Sequence, residues 1–473
     1  MRLKAQQVIN SRAGRKVALG LLLIVLLSLS VRALTAQFLA ERLTDAGWFQ
    51  YGSYKIFDER AQAILDGRES FFMIPDSSRT DLIQYPPAFP VWVAFIYGVT
   101  NDRSARAVLG VHWWLDALIM PMLITGLGVT AYGWRAGMAA GVLCALSPLL
   151  AFYGVTPSSD APTTWLVLAA MWVLLVAAKR QSLRLALVSG LLLGAACWFR
   201  VNPLFVVFFW ALALALFVRA SWRVRARLSL AALLGTLILV APIPVRNWVV
   251  FNEFVLTGLN VGSNFWEGLG ETEYGRSLGF EFGDQLMVEQ ERAALGLAQD
   301  FPITPVWPDG IRRDRERARK SLNVIAAHPV WYAGVMLKRM GWMLKMAGEP
   351  GPYYGSSGIN CTSRKCLPVS WQGGVTALAV NLLGMLQSVY RYAALPLMAG
   401  GIWLGFRRAR VMTMLLLATV FYYLVPGTAA HTEIRYVLPM HGVLVVFAGL
   451  AVVQLIEAFK SVNKREKVSE QTI

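Results

Sequence analysis

Stretches of about 18–20 apolar residues recur along this chain, and a segment of that kind hides its backbone polar groups from lipid only by coiling into a helix. Candidate spans fall at 17–38, 106–131, 136–153, 162–178, 185–199, 203–218, 228–245, roughly 380–405, 411–426 and 436–457. With 56% hydrophobic and 15% charged residues over 473 positions, too little polar surface remains for a soluble globule of this size. The expected fold is an all-α polytopic membrane protein with about 10–12 transmembrane helices. The first span reads as a retained helix, because its apolar run is long and no small-residue cleavage site followed by a soluble domain comes after it.

The formal charge of +17 invites a nucleic-acid reading, but its distribution argues against one. Basic residues crowd the N-terminus (Arg2, Lys4, Arg12, Arg15, Lys16), the short connections Lys179–Arg184, Arg219–Arg227 and Arg407–Arg410, and the tail (Lys460, Lys464, Arg465, Lys467). These are alternate connections. The positive-inside rule therefore places them and both termini in the cytoplasm of a plasma (inner) membrane protein, with no role for nucleic acid.

Ten spans with both ends inside divide the chain into three parts. An N-terminal membrane module covers 1–245 and holds a first external loop at 39–105. A large external loop after the seventh span covers 246–375, and C-terminal helices with a cytoplasmic tail cover 376–473. In the first loop, Phe49–Leu65 reads as an amphipathic helix. Tyr85-Pro-Pro-Ala-Phe-Pro-Val-Trp reads as the start of an aromatic one, since Pro suits a helix start and Trp and Tyr favour the headgroup zone. Both are expected to lie in the interface plane. In the second loop, Arg312–Lys320 reads as a charged helix. The apolar stretch 328–345 is interrupted by Lys338, Arg339 and Lys345, which favours an interfacial helix. If it crosses instead, a further span near Thr376–Tyr390 brings the count to twelve. Of the four cysteines, Cys144 and Cys197 fall within spans as packing residues, and Cys361 and Cys366 share an external loop that permits a disulfide.

Charges at the outer ends of spans cost free energy unless paired or solvated, so they are functional candidates. The external rim offers Asp45, Asp58, Glu59, Asp160, Arg200, Arg246, Glu267, His431, Glu433 and Arg435. Acids and bases on one side suit a reaction in which a carboxylate deprotonates an acceptor while arginines hold an anionic leaving group. In Asp45-Ala-Gly-Trp-Phe49-Gln-Tyr-Gly-Ser53, one helical face carries an acid, a ring and a small residue. Asp45 also reads as a plain helix N-cap, Asp160 as the cap of its span, and Arg246 and Arg435 as side chains reaching headgroup phosphates. The polar run His431-Thr-Glu-Ile-Arg435 favours a binding role for Arg435, because a guanidinium matches phosphate bidentately. The spans themselves read as carrying few charges. There is no P-loop, dinucleotide fingerprint, HExxH or GxSxG, and four scattered histidines make a His-based metal site a poor expectation.

Taken together, these elements resemble membrane glycosyltransferases of the GT-C type, and within them glycosyltransferase family 39, which includes protein O-mannosyltransferases and the aminoarabinose transferase of lipid A. The resemblance rests on Asp45 with Phe49 and Ser53, on Tyr85-Pro-Pro with Pro90, and on Arg246-Asn247 before a Gly-rich loop with Asn264 and Gly268. His328-Pro before an aromatic helix and Arg435-Tyr-x-x-Pro439 complete it. It covers most of the chain in order. Two features depart from it: Ala46 stands where a second acid is usual, and Ala61, Ile64 and Gly67 repeat the small-x-x-aliphatic-x-x-Gly element, so Asp58 competes with Asp45 for one role. The resemblance implies a polyprenyl-phosphate sugar donor and a lipid, glycan or protein acceptor. It implies catalysis by Asp45 or Asp58 and substrate contacts from Tyr85, Arg246, Asn264, Glu267, His431, Glu433 and Arg435. No cofactor follows from it, and metal dependence varies among such enzymes.

Two rival readings remain. A lipid-glycan polymerase or ligase would be expected to lean on basic and His residues of the large loop. A transporter or flippase would favour midplane charges, broken helices and repeats.

Overall fold

The computed structural model describes residues 12–40, 43, 53–69, 83–344, 346 and 374–470. Asp45 and Phe49, and the loop with Cys361 and Cys366, lie outside the described residues. Those described form α-helices α1 (Arg12–Ala40), α2 (Ser53–Leu65), α3 (Ala88–Thr100), α4 (Ala105–Tyr132), α5 (Trp134–Leu146), α6 (Pro148–Val155), α7 (Asp160–Arg180), α8 (Leu183–Phe199), α9 (Val206–Phe217), α10 (Trp222–Val240) and α11 (Pro242–Phe251). They continue with α12 (Val261–Gly270), α13 (Glu273–Ser277), α14 (Asp284–Ala294), α15 (Gly310–Ala327), α16 (Pro329–Met343), α17 (Gly374–Leu424) and α18 (Leu438–Glu470). The chain is an all-helical, multi-pass membrane protein.

Among the described residues six helices are long and apolar enough to cross a bilayer, and α5 with α6, bent by 63°, makes a seventh candidate. The 51-residue α17 is two passes. Ala409 leaves helical geometry (φ −151°, ψ 64°), and a Cβ on Gly405 would lie 2.8 Å from Thr413 Oγ1. Eight residues along a straight helix would separate those positions by about 12 Å, so the chain folds back at the basic Arg407–Arg410 turn. The shorter apolar helices α8 and α9, of 17 and 12 residues, pack among these passes but fall short of that length. At one end of the set sit the basic connections, where Arg135 and Arg408 both pair with Glu457 and the Gln181 amide donates to the Arg219 carbonyl. At the other end, Asn202 donates to the Tyr436 carbonyl and Arg200 pairs with Asp160. Helix α16 stays at this second end, with Tyr332 donating to the Ala429 carbonyl, and does not add a pass.

Helices meet closely through small residues, as expected where no hydrophobic effect drives association in lipid. A Cβ on Gly190 would stand 2.1 Å from the Ala232 carbonyl oxygen, and one on Gly235 would stand 2.3 Å from that of Leu187, so α8 and α10 touch backbone to backbone.

The spans are less free of charge than their hydropathy suggests. Arg32 on α1 and Asp116 on α4 form an ion pair of 2.9 Å at 0% and 1% side-chain exposure. Trp165 Nε1 donates to the other carboxylate oxygen at 2.7 Å. Arg32 also donates to the carbonyls of Ala145 and Cys144. Those carbonyls lie at the end of α5, just before Pro148; that of Cys144 also accepts from Ser147 N, and the guanidinium covers that of Ala145 at 2.9 Å.

Outside the bundle, α2 packs on α3 through Phe57, Ala61, Phe89, Val93 and Tyr97. Helices α12 to α16 form a layer over the non-basic end, and its centre is polar. Asp314 Oδ1 accepts from the backbone N–H groups of Asn260, Gly262 and Ser263, which caps α12 with a carboxylate at its positive end. Glu291 receives Arg313 and Arg317, and Arg317 reaches Ser263 Oγ at 3.1 Å. The charge run 312–320 therefore turns Arg313, Asp314 and Arg317 inward.

Candidate active site

The first loop is carried to the site by main-chain bonds. Leu259 N donates to the Ile83 carbonyl at 2.9 Å, and the Asn260 side chain donates to the Gln84 carbonyl. Tyr85 follows directly, edge-on to Phe57 at 5.1 Å between centroids. Its hydroxyl lies within the fields of Asp284, Arg435, Arg200 and Glu267, four charges from four separate segments. Burial pushes it up to about 12, with the acids adding and the arginines opposing.

Arg200, just after α8, pairs with the buried carboxylate of Asp160, and its guanidinium sits 4.3 Å over the Tyr436 ring. Arg435 lies 5.4 Å from the same ring and is paired through Nε with Glu433. Two guanidinium groups, each held by a carboxylate, thus lie against Tyr436. Such forks match phosphate oxygens.

Glu433 in turn faces His431 Nε2 at 3.5 Å, and His431 Nδ1 meets Glu271 at the end of α12. Burial alone would lower the imidazole, but Glu271 and Glu433 together hold it up at about 10. Glu433 is held below the usual carboxylate range by Arg435 and His431, against the effect of its burial. Glu271 also receives Arg339 of α16 at 3.0 Å. Arg339 donates further to the Thr428 and Gly268 carbonyls. Contact is tight enough that a Cβ on Gly268 would meet His431 N at 2.7 Å and Arg339 Nη2 at 2.9 Å.

Glu267, one turn before Glu271, is raised to about 7, first by burial and then by Asp284, Glu433 and Glu271, while His431 pulls it down. Asp284 is likewise raised by burial, against Arg317 and His431. A carboxyl poised near neutrality can both take and give a proton.

The structure brings together Tyr85, Glu267, His431, Glu433 and Arg435. Asn264 joins them through its backbone, its carbonyl accepting from His431 N at 2.8 Å. Arg246 is placed elsewhere. It bonds Asn247 Oδ1 at 2.8 Å and lies in the field of the Arg60–Glu69 pair of the first loop. Asp58 accepts from Tyr97 on one oxygen and from Gln62 on the other. Three site residues went unrecognised in the sequence. Glu271 follows Glu267 at i+4, a one-face spacing that could have marked it. Asp284 had no signal beyond its charge. Arg339 read as an interruption of an apolar stretch. Among the described residues no three His, Cys, Asp or Glu side chains converge as a metal-ligand group.

No family model matches this chain, and no curated protein matches it. Among solved structures it is similar to the oligosaccharyltransferase of Archaeoglobus fulgidus in the apo form, at 13% identity and TM-score 0.49, over 96% of this chain and 52% of that one. It is also similar to the archaeal oligosaccharyltransferase AglB of the same organism in complex with an inhibitory peptide and a dolichol-phosphate, at 13% identity and TM-score 0.47, over 93% and 52%. The chain spans about half the length of these structures. At that level of likeness, function has to be argued from this chain's own residues. What those residues form is a charged, partly solvated rim on one end of a polytopic helical membrane protein.

Proposed function

We propose that this chain is a GT-C-type glycosyltransferase that moves a sugar from a polyprenyl-phosphate donor to a lipid, glycan or protein acceptor at the outer face of the membrane. The observation that carries the reading is the pair of guanidinium groups at the end of the bundle opposite the basic connections, Arg200 at 4.3 Å and Arg435 at 5.4 Å from the Tyr436 ring, with Glu433 and His431 beside them. Cytoplasmic placement of the basic end, by the positive-inside rule, makes this rim external. A lipid phosphate can reach it from the bilayer and an acceptor from water.

In the proposed reaction a carboxylate takes the proton of the acceptor hydroxyl or amine as that atom bonds to the anomeric carbon. The bond from that carbon to the phosphate oxygen breaks, its electron pair leaving on the lipid phosphate, with inversion at carbon. Arg435 and Arg200 compensate the charge that grows there. Asp45 is the proposed base, on the family resemblance. Both oxygens of its competitor Asp58 are already engaged, which favours Asp45. Arg246, away from the Tyr85 cluster, is proposed to meet the donor elsewhere along its length.

One observation favours a second base: Glu267 sits in the cluster with its carboxyl near neutrality. Asp45→Asn and Glu267→Gln, assayed for sugar transfer in membranes, separate the two. Loss of at least about 10²-fold in only one variant identifies the base, and full activity in both refutes a carboxylate mechanism at this rim. A polymerase or ligase relying on loop histidines gains little support, since His328 is engaged with Tyr274 and His431 is flanked by two acids.

A further inference from the structure

His431 and Glu433 were expected to touch substrate, yet their contacts point inward. Both ring nitrogens of His431 face carboxylates, Glu271 at Nδ1 and Glu433 at Nε2. Each nitrogen must carry a proton to bond in both directions, so the ring fits as a cation. On one side Glu271 is fixed by Arg339, itself anchored to the backbone at Gly268 and Thr428. On the other, Glu433 grips Arg435. The five side chains form a row of alternating sign, Arg339, Glu271, His431, Glu433, Arg435, which starts in the extramembrane layer and ends at the last span. Arg339 is the most buried member of the row at 8% side-chain exposure, and with its two carbonyl contacts it is the anchored end.

We propose that Glu271 and His431 are positioning residues, whose charged row from Arg339 holds Glu433 and through it orients Arg435 toward a prenyl phosphate monoester. The proposal rests on the reading of Arg435 as a phosphate holder. If His431 lost its proton, its bond to one of the two acids would turn from attraction to lone-pair repulsion. Glu433 would then be held by Arg435 alone, and the guanidinium would be drawn back onto it. The groups that set this balance come from every neighbouring element: Glu271 and Glu267 from α12, Asp284 from α14, Arg339 from α16, and Glu433 and Arg435 from the chain leading into α18. The aromatic neighbours Phe282 and Tyr436 close the sides.

The test uses the full chain in detergent micelles and farnesyl phosphate as the probe, with its dissociation constant measured from pH 6 to pH 9. The wild type should show only the pH dependence of the probe's own second ionisation, at about pH 6, and each variant is compared with it at the same pH. Glu271→Gln keeps the shape but removes one of the two charges that hold the imidazolium, so its affinity relative to the wild type should fall by about tenfold between pH 6 and pH 9. Glu271→Asp should restore the wild-type profile. Arg435→Gln should bind weakly at every pH. If Glu271→Gln binds like the wild type throughout while Arg435→Gln is weak, the positioning role is overturned and the phosphate reading stands. If Arg435→Gln also binds like the wild type, the phosphate reading itself has failed. Should Glu271→Gln not fold, nitrogen-15 spectra of histidine-labelled wild-type protein decide. A His431 ring doubly protonated at pH 8 supports the proposal, and one titrating near 6.5, its ordinary value, overturns it.

Discussion

Two of this protein's buried charge networks are built to different ends. Arg32 and Asp116 lie in the middle of the bundle at 0% and 1% exposure, with both carboxylate oxygens bonded and the guanidinium spread over a broken helix. The row from Arg339 to Arg435 is more open and ends at the rim, in a residue that shares its neighbourhood with Tyr85 and Arg200. A network held wholly inside a bundle stabilises one packing. A network of the same residue types that opens at one end keeps a charge fixed while leaving it in reach of solvent and lipid. Burial of charge is therefore no guide to function by itself; where the network ends is.

The strongest way to break this contrast is to halve the interior pair. Arg32→Leu or Asp116→Leu leaves an uncompensated charge, and each should cost about 3–5 kcal/mol, read as a large fall in melting temperature in detergent. The double variant should recover much of that loss. If each single change is harmless, the interior pair is not the structural lock described. Next in size is Arg435→Gln, which should lower sugar transfer by about 10²–10³-fold with a small change in melting temperature. A parallel loss of fold would make the rim row a second lock rather than a site.

A smaller effect is expected from the tight packing around the rim row. Gly268→Ala forces a methyl against His431 N and Arg339 Nη2, at about 1–3 kcal/mol, and should lower transfer by disturbing the row. The pH dependence of stability sharpens the contrast further. His431 is raised in the folded state, from 6.5 to about 10, so its contribution is complete below pH 6.5 and fades as pH climbs toward 10. Glu433 is lowered, so its contribution is present above its ordinary range and lost on acidification. Wild-type melting should therefore decline in alkali, and His431→Asn should flatten that limb. An unchanged limb would mean that some other group titrates there.

How much of this was legible beforehand follows from what lipid demands of a chain. The long passes, including the pair that turns at Arg407–Arg410, were readable because length and hydropathy leave a membrane helix few alternatives. Asp116 was hidden in such a stretch, since one charge barely moves the average of an 18-residue window. The rim residues His431, Glu433 and Arg435 were visible because charges next to spans stand out. Their partners were not, because Glu271 and Arg339 arrive from a layer folded by ion pairs such as Glu291 with Arg317, and pairing at that sequence distance leaves no local pattern. The same long-range folding carries Arg246 to the Arg60–Glu69 pair and away from Arg435, although both read alike as arginines at span ends.

The central claim, that this rim transfers sugar from a lipid phosphate, is tested most directly by mass spectrometry of cell-envelope glycolipids and glycoproteins. Cells carrying the wild-type protein should contain a glycan species that disappears when Arg435→Gln replaces it at equal membrane abundance. Identical glycan profiles in the two strains, in both the lipid and the protein fraction, would contradict the account.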